Sequence, residues 1–373
     1  MNERAADLLP RLTPWTSWMP VAAAAVLAVS WGHHPGHLVN GVIAVFLIGA
    51  VLAAVHHAEV VAHRVGEPYG SLVLAVAVTV IEVALIVTLM VTTDKDTSAL
   101  ARDTVFAAVM ITLNGIVGLA LVVGALRHHL AVFNAEGSGS SLATVVTLAG
   151  LTLVLPTFTT SRPGPEFTGA QLTFAAIASA ALYGMFVFTQ TVRHRDFFLP
   201  VPTGSGPGPV DADGDGHADP PSSRAALASL GLLVLALVAV VGLAKVESPA
   251  IEDAVAALGF PPSFVGVVIA LLVLLPESIA AVRAASRDKV QISLNLAYGS
   301  AMASIGLTIP AIAVASIWLD GPLVLGLDST QTVLLVMSVV VSVLTVVPGR
   351  AKPLNGGVHL VLLAAYLFLS IKP

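Results

Sequence analysis

The sequence predicts an all-α membrane protein of about eleven transmembrane helices, arranged as one helix plus two inverted five-helix repeats. Three observations predict it. The 373-residue chain is 56% hydrophobic and only 10% charged, whereas soluble domains carry roughly 25% charged residues. Apolar runs recur along its whole length, each able to cross about 30 Å of hydrocarbon at 1.5 Å per residue. Single glutamates, Glu82 and Glu277, interrupt two of these runs, one in each half of the chain.

The expected spans, taken in order, begin with 14–32. It follows Arg4 and Arg11 and contains Ala28-Val29-Ser30, which resembles a signal-peptide cleavage site. Ten further spans favour a retained helix. Span 38–60 ends in the cluster His56-His57-Ala58-Glu59, and span 69–93 holds Glu82 as its only charge between Ser71 and Val91. Spans 103–126, with Asn114-Gly115, 141–160 and 169–192 complete the first set. The stretch 193–224 is rich in Pro, Gly and Asp and reads as an exposed loop. Beyond it come 225–245, 263–284 with Pro276-Glu277, 290–317 with Tyr298-Gly299-Ser300, 329–348 and 356–371. The organisation is therefore a tail and first helix (1–35), a first repeat (36–192), a cytoplasmic loop (193–224) and a second repeat (225–373).

The repeat shows in the residues around the glutamates. VTVIEVALIV around Glu82 aligns with VLLPESIAAV around Glu277 at an offset of 195, and Asn114-Gly115 aligns with Tyr298-Gly299 at an offset of 184. The difference matches the longer loop TTDKDTSALARD in the first half. Five spans is an odd number, so the halves cross in opposite senses, the inverted arrangement of many secondary transporters.

Lys and Arg counted by loop give orientation. An inside N-terminus puts twelve on the cytoplasmic side (Arg4, Arg11, Arg64, Arg127, Arg193, Arg195, Arg224, Arg283, Arg287, Lys289, Arg350, Lys352) and five outside (Lys95, Arg102, Arg162, Lys245, Lys372). The asymmetry predicts an inside N-terminus and an outside C-terminus in a bacterial cytoplasmic membrane.

Composition also excludes classes. With no cysteine, disulfides, thiolate metal sites and cysteine nucleophiles are ruled out. The loops are too short for an extramembrane enzymatic or nucleic-acid-binding domain. No Walker-type motif is present, so neither a nucleotide nor any other cofactor is expected. The expected partners are inorganic cations, protons and the lipid bilayer; oligomeric state is open. A carboxylate at the bilayer centre costs about 2.5–3.5 kcal/mol on insertion scales, so such residues mark ion or proton pathways. Two in matching positions point to transport.

The segments around His56-His57-Ala58-Glu59, Gly66-Glu67-Pro68-Tyr69-Gly70 and Pro276-Glu277-Ser278 resemble the two α-repeats of the cation/proton exchanger branch of the Ca²⁺:cation antiporter superfamily. The resemblance covers most of residues 36–320. It implies that Glu82 and Glu277 bind the transported cation, Ca²⁺, Na⁺ or K⁺, and exchange it for protons. The family's asparagines do not carry over, because Thr79 and Leu274 stand three residues before the glutamates. Ca²⁺ seeks six to eight oxygen ligands, so losing two amide oxygens predicts a less Ca²⁺-restricted site. Helix geometry offers replacements: Thr79 one turn before Glu82, Asn114 and Ser300 on the partner helices, and the Leu272 carbonyl, which Pro276 leaves without its N–H donor.

Three further features carry expectations. His56, Glu59 and His63 share a helical face and read as either a vestibule or a solvated helix end. Glu67-Pro68 reads as the turn into the next helix. Asp211, Asp213, Asp215, Gly216 and Asp219 match an EF-hand loop that lacks its final bidentate glutamate, Ser222 standing there instead; a regulatory Ca²⁺ site and an acidic linker both remain open. The expected activity is secondary cation/proton antiport rather than enzyme catalysis, a proton-uncoupled cation channel being the alternative. An intramembrane metallohydrolase would need a zinc-binding HExxH pattern, and none is present.

Overall fold

A computed structural model describes residues 15–32, 36–66, 69–92, 97–201, 221–318 and 321–372. Eleven helical segments cover almost all of them: α1 (Trp15–Ser30), α2 (His37–Val65), α3 (Tyr69–Thr92), α4 (Leu100–His128), α5 (Ala135–Phe158), α6 (Gly169–Arg193), α7 (Ser223–Ala257), α8 (Phe264–Ser286), α9 (Val290–Ala315), α10 (Ser329–Val346) and α11 (Pro353–Ile371). Among the described residues nine are long and apolar enough to cross a membrane, while α1 and the apolar stretch Val76–Val91 of α3 are shorter. The chain is a multi-pass helical membrane protein, one helix followed by two sets of five. The acidic cluster Asp211, Asp213, Asp215 and Asp219, and the Glu67-Pro68 turn, lie outside the described residues.

Helix ends follow local chemistry. The Asn134 side chain accepts from the backbone N–H groups of Glu136 and Gly137 at 2.9 and 3.0 Å and starts α5. Thr168 with Gln171, and Asp328 with Gln331, form capping boxes at α6 and α10. Three helices change pitch internally, with π-helical turns at Ile111–Ile116, Gly150–Val154 and Thr189–Arg193. The first of these contains Asn114, and such turns recur at functional positions.

The helix α7 corrects one expectation. The sequence reading ended that span at 245, yet the helix continues through Pro249 to Ala257. Proline removes one helical hydrogen bond without ending the helix here, so Glu247 lies inside the helix instead of in an outer loop.

The chain divides into two compact units: Met1–Ile81 with Pro220–Ala250, and Glu82–Asp219 with Ile251–Pro373. In the first, α1 packs along α2. His57 is 3% exposed and links three helices, with Nε2 at 2.9 Å from the Thr16 carbonyl and Nδ1 at 3.3 Å from the Ser229 hydroxyl. Arg64 donates to the Ser223 hydroxyl at 2.8 Å. These bonds pin α2 against α7.

In the second unit, α4 is almost wholly buried and packs against α8, α9 and α11. Small residues permit the closest approaches. A Cβ on Gly356 of α11 would stand 2.6 Å from the Gly118 carbonyl oxygen of α4 and 2.7 Å from the Val122 nitrogen. A Cβ on Gly266 of α8 would meet the Thr104 nitrogen at 2.8 Å. Such backbone-to-backbone packing replaces the hydrophobic drive that lipid surroundings remove. A two-residue antiparallel ladder, β1 (Ala131–Val132) with β2 (Arg350–Ala351), ties the loop after α4 to the loop before α11. Ile86 of α3 joins Ala101 of α4 and Ile312 of α9 in a buried cluster, which fixes the second half of α3 against both helices.

Candidate cation site

Glu82 opens the second half of α3 and is 2% exposed. Its Oε2 accepts a hydrogen bond from the Ser304 hydroxyl of α9 at 2.9 Å. Its Oε1 is buried without a hydrogen-bond partner, as is the hydroxyl of Thr308, which stands one turn beyond Ser304 and within interaction range of the same carboxylate. Glu277 of α8 lies within Coulombic reach of Glu82. The structure therefore brings together the two glutamates that the sequence singled out, and adds two hydroxyls that it did not.

The backbone around Glu277 is itself irregular. Pro276 sits inside α8 and gives no N–H to the Leu272 carbonyl. The neighbouring Ser278 hydroxyl donates to the Leu274 carbonyl at 2.7 Å, so one carbonyl of this turn is satisfied twice over while another lacks its helical donor. Glu277 is half-buried.

Other expected ligands fall differently. Ser300 is half-buried on α9, one turn before Ser304, and it is Ser304 that reaches Glu82. Thr79 is buried on α3 with its hydroxyl unpartnered, and belongs by its contacts to the first unit. Asn114 is fully buried, but its amide is engaged: Nδ2 donates to the Ser338 hydroxyl at 2.8 Å, and Oδ1 stands 3.3 Å from Nδ1 of His359. Nε2 of His359 lies 3.2 Å from the Thr345 hydroxyl, and Ser338 donates to the Leu334 carbonyl at 2.8 Å. A neutral His359 with the proton on Nδ1 satisfies every member of this chain. The network joins α4, α10 and α11 and holds the π-helical turn, so Asn114 serves as a structural hub.

The face His56, Glu59 and His63 is half-buried at His56 and exposed at Glu59 and His63. The ring of His56 packs edge-on to His57 with centroids 5.4 Å apart. The buried member of the cluster is thus His57, a helix tie, beside a His56 face that the sequence left open between a vestibule and a solvated helix end. Among the described residues no three His, Asp or Glu side chains gather to hold a metal ion.

Sequence reasoning missed Ser304 and Thr308, although both carry a signal. They lie four and eight residues after Ser300, so all three hydroxyls share one face of a straight helix, and depth along that face decides which one meets Glu82. Near Leu307 the helix breaks its regular pattern, which separates Ser304 from Thr308.

What the geometry can do is limited and specific. Two carboxylates in a low-dielectric interior repel each other unless a proton or a cation sits between them. The surrounding donors are one hydroxyl bond and no Lys or Arg among the described contacts of Glu82. Such a site has the oxygen chemistry to hold a small cation or a proton.

A bundle of apolar helices that holds the buried Glu82 near the half-buried Glu277 is the architecture of a multi-pass membrane protein. The chain belongs to the sodium/calcium exchanger protein family, whose profile matches residues 37–192 and again 228–372. It is 46% identical over 331 residues to the putative ionic transporter y4hA of Sinorhizobium fredii (strain NBRC 101917 / NGR234), covering 88% of this chain and 87% of that one. It is 34% identical over 352 residues to the sodium-potassium/proton antiporter ChaA of Escherichia coli (strain K12), covering 93% of each. Its fold matches that of native YfkE with a TM-score of 0.72 at 16% identity, covering 96% of this chain and all of the other. The two sequence relatives carry the names of ion transporters, and the chain is a member of this cation-exchanger family.

Proposed function

We propose that the protein exchanges Na⁺, K⁺ or Ca²⁺ for protons across a bacterial cytoplasmic membrane, with Glu82 and Glu277 as the shared binding groups. The observation that carries this reading is the buried Glu82 carboxylate, held on one oxygen by Ser304, bare on the other, and within Coulombic reach of Glu277. A bare pair of negative charges cannot cross a low-dielectric interior cheaply, so only the protonated or the cation-loaded protein reorients. Exchange is then obligatory, and two protons replace one divalent cation. The proton gradient drives cation export.

The ligand set supports a broad cation range. Hydroxyls of Ser304 and Thr308 and the Leu272 carbonyl offer oxygens around the carboxylates, whereas Asn114 gives its amide to Ser338 and His359. The name of the relative ChaA, a sodium-potassium/proton antiporter, agrees with monovalent ions among the substrates.

Uptake of radiolabelled Na⁺ or Ca²⁺ into proteoliposomes under an imposed pH gradient tests this reading. Wild-type protein should accumulate the ion, and Glu82→Gln and Glu277→Gln proteins should each lose accumulation. Robust gradient-driven uptake by both variants contradicts the assignment.

A further inference from the structure

The Thr308 hydroxyl differs from other threonine hydroxyls in these helices, and the difference has a cause in the sequence. Helical threonines here turn back on their own backbone: Thr104, Thr112, Thr147, Thr152 and Thr173 each donate to the carbonyl four residues earlier at 2.8 Å. Thr308 is fully buried, yet its hydroxyl has no such partner. The carbonyl it would take is that of Ser304, the residue whose own hydroxyl reaches Glu82.

Between the two stands Leu307, at φ −112° and ψ −37°, outside the regular segments Val290–Gly306 and Thr308–Ala315 of α9. A regular helix holds φ near −63°. Pro310 accounts for the interruption: it has no N–H for the Gly306 carbonyl and its ring crowds that carbonyl, but it is tolerated in the first turn of a segment that restarts at Thr308. The helix is also backed from its other side. A Cβ on Gly306 would stand 2.8 Å from Cβ and 3.2 Å from Cγ of Tyr183 on α6, and 3.5 Å from the Ser179 carbonyl oxygen. Gly306 is two residues, about 200°, round the helix from Ser304, so α6 presses on the face turned away from Glu82. Gly306, Tyr183, Glu82, Ser304 and Thr308 all lie in the second compact unit.

A hydroxyl that donates to its own carbonyl has no proton left for a carboxylate, whereas a freed one can donate to Glu82 and turn its lone pairs to a cation. Resting on the reading that Glu82 binds the exchanged ion, we infer that Pro310 and Gly306 are positioning residues of the cation site. They interrupt α9 between Ser304 and Thr308, release the Thr308 hydroxyl from its backbone and leave it to Glu82 and the bound cation. The α6 helix thereby shapes the site without lending it a ligand.

Proton release driven by Na⁺, K⁺ or Ca²⁺ in vesicles carrying the full chain, measured against cation concentration, tests this. Pro310→Ala restores the N–H and lets α9 close. Its half-saturating concentration should rise about three- to tenfold, the scale of one neutral hydrogen bond, with the melting temperature in detergent kept. Thr308→Val should give a rise of the same size. Adding Thr308→Val to Pro310→Ala should raise it less than twofold further, because the hydroxyl is already withdrawn. Gly306→Ala, pushed off Tyr183, reaches the same end by a second route and carries the same comparison should Pro310→Ala not fold. Gly299→Ala, with open space at its Cβ position, should change the concentration less than twofold. An unmoved half-saturating concentration in whichever of Pro310→Ala and Gly306→Ala folds, or an effect that multiplies with that of Thr308→Val, overturns the inference. Glu82→Gln is measured beside them: exchange lost there while either of those results holds refutes this inference alone, whereas exchange kept in Glu82→Gln refutes the central reading as well.

Discussion

Replacing Ser304 by Ala removes the one hydrogen bond donated to Glu82, at 2.9 Å between two buried groups. A hydrogen bond to a charged group contributes about 1.5–3 kcal/mol and one to a neutral group about 0.5–1.5 kcal/mol. Ser304 thus favours the ionised, cation-binding carboxylate over its protonated form by about 1–1.5 kcal/mol, the difference between those ranges. Its loss shifts the competition toward the proton by about five- to tenfold, since 1.4 kcal/mol is a factor of ten. The hydroxyl leaves little void, so folding is retained. The assay is initial cation-dependent proton release from vesicles as a function of cation concentration. The half-saturating concentration should rise about five- to tenfold at constant pH with the maximal rate largely kept, whereas Ser300→Ala should change it less than twofold. An unchanged half-saturating concentration in Ser304→Ala, or an equal effect of Ser300→Ala, refutes the reasoning.

Two further outcomes follow from packing. Gly356→Ala places a methyl 2.6 Å from the Gly118 carbonyl oxygen, while Gly357 has open space around its Cβ position. The first substitution should cost about 1–3 kcal/mol of stability as overpacking and lower the melting temperature in detergent; Gly357→Ala should leave it unchanged. His359→Leu orphans the Asn114 amide oxygen and the Thr345 hydroxyl, each costing about 1–3 kcal/mol when buried. Thermal unfolding should fall markedly, and Asn114→Leu in the His359→Leu background should cost less than the two single changes added together, as expected for members of one network.

The helices were legible because each needs about twenty apolar residues and the sequence supplies them in turn. Glu82 and Glu277 were legible because a charge stands out against such a background. The partner of Glu82 was not, because Ser300 and Ser304 lie one turn apart on the same face, and only the depth at which α3 meets α9 chooses between them. Asn114 looked available as a ligand from its neighbours in sequence. Its amide is taken by Ser338 and His359, more than two hundred residues away, and no local pattern reports that. Among the histidines, i and i+3 spacing favoured His56, but contacts with Thr16 and Ser229 on other helices bury His57. The span that begins at 225 was ended at 245, whereas α7 runs on through Pro249 to Ala257 and takes Glu247 inside it.

The most direct test of the central claim is proton movement in inverted, energised membrane vesicles followed with a pH-gradient dye. Na⁺, K⁺ and Ca²⁺ are added separately to vesicles carrying wild-type, Glu82→Gln or Glu277→Gln protein at matched expression. The account predicts that one or more of these cations dissipates the gradient with wild-type protein and with neither variant. Cation movement without any change in the proton gradient contradicts it and points to a channel.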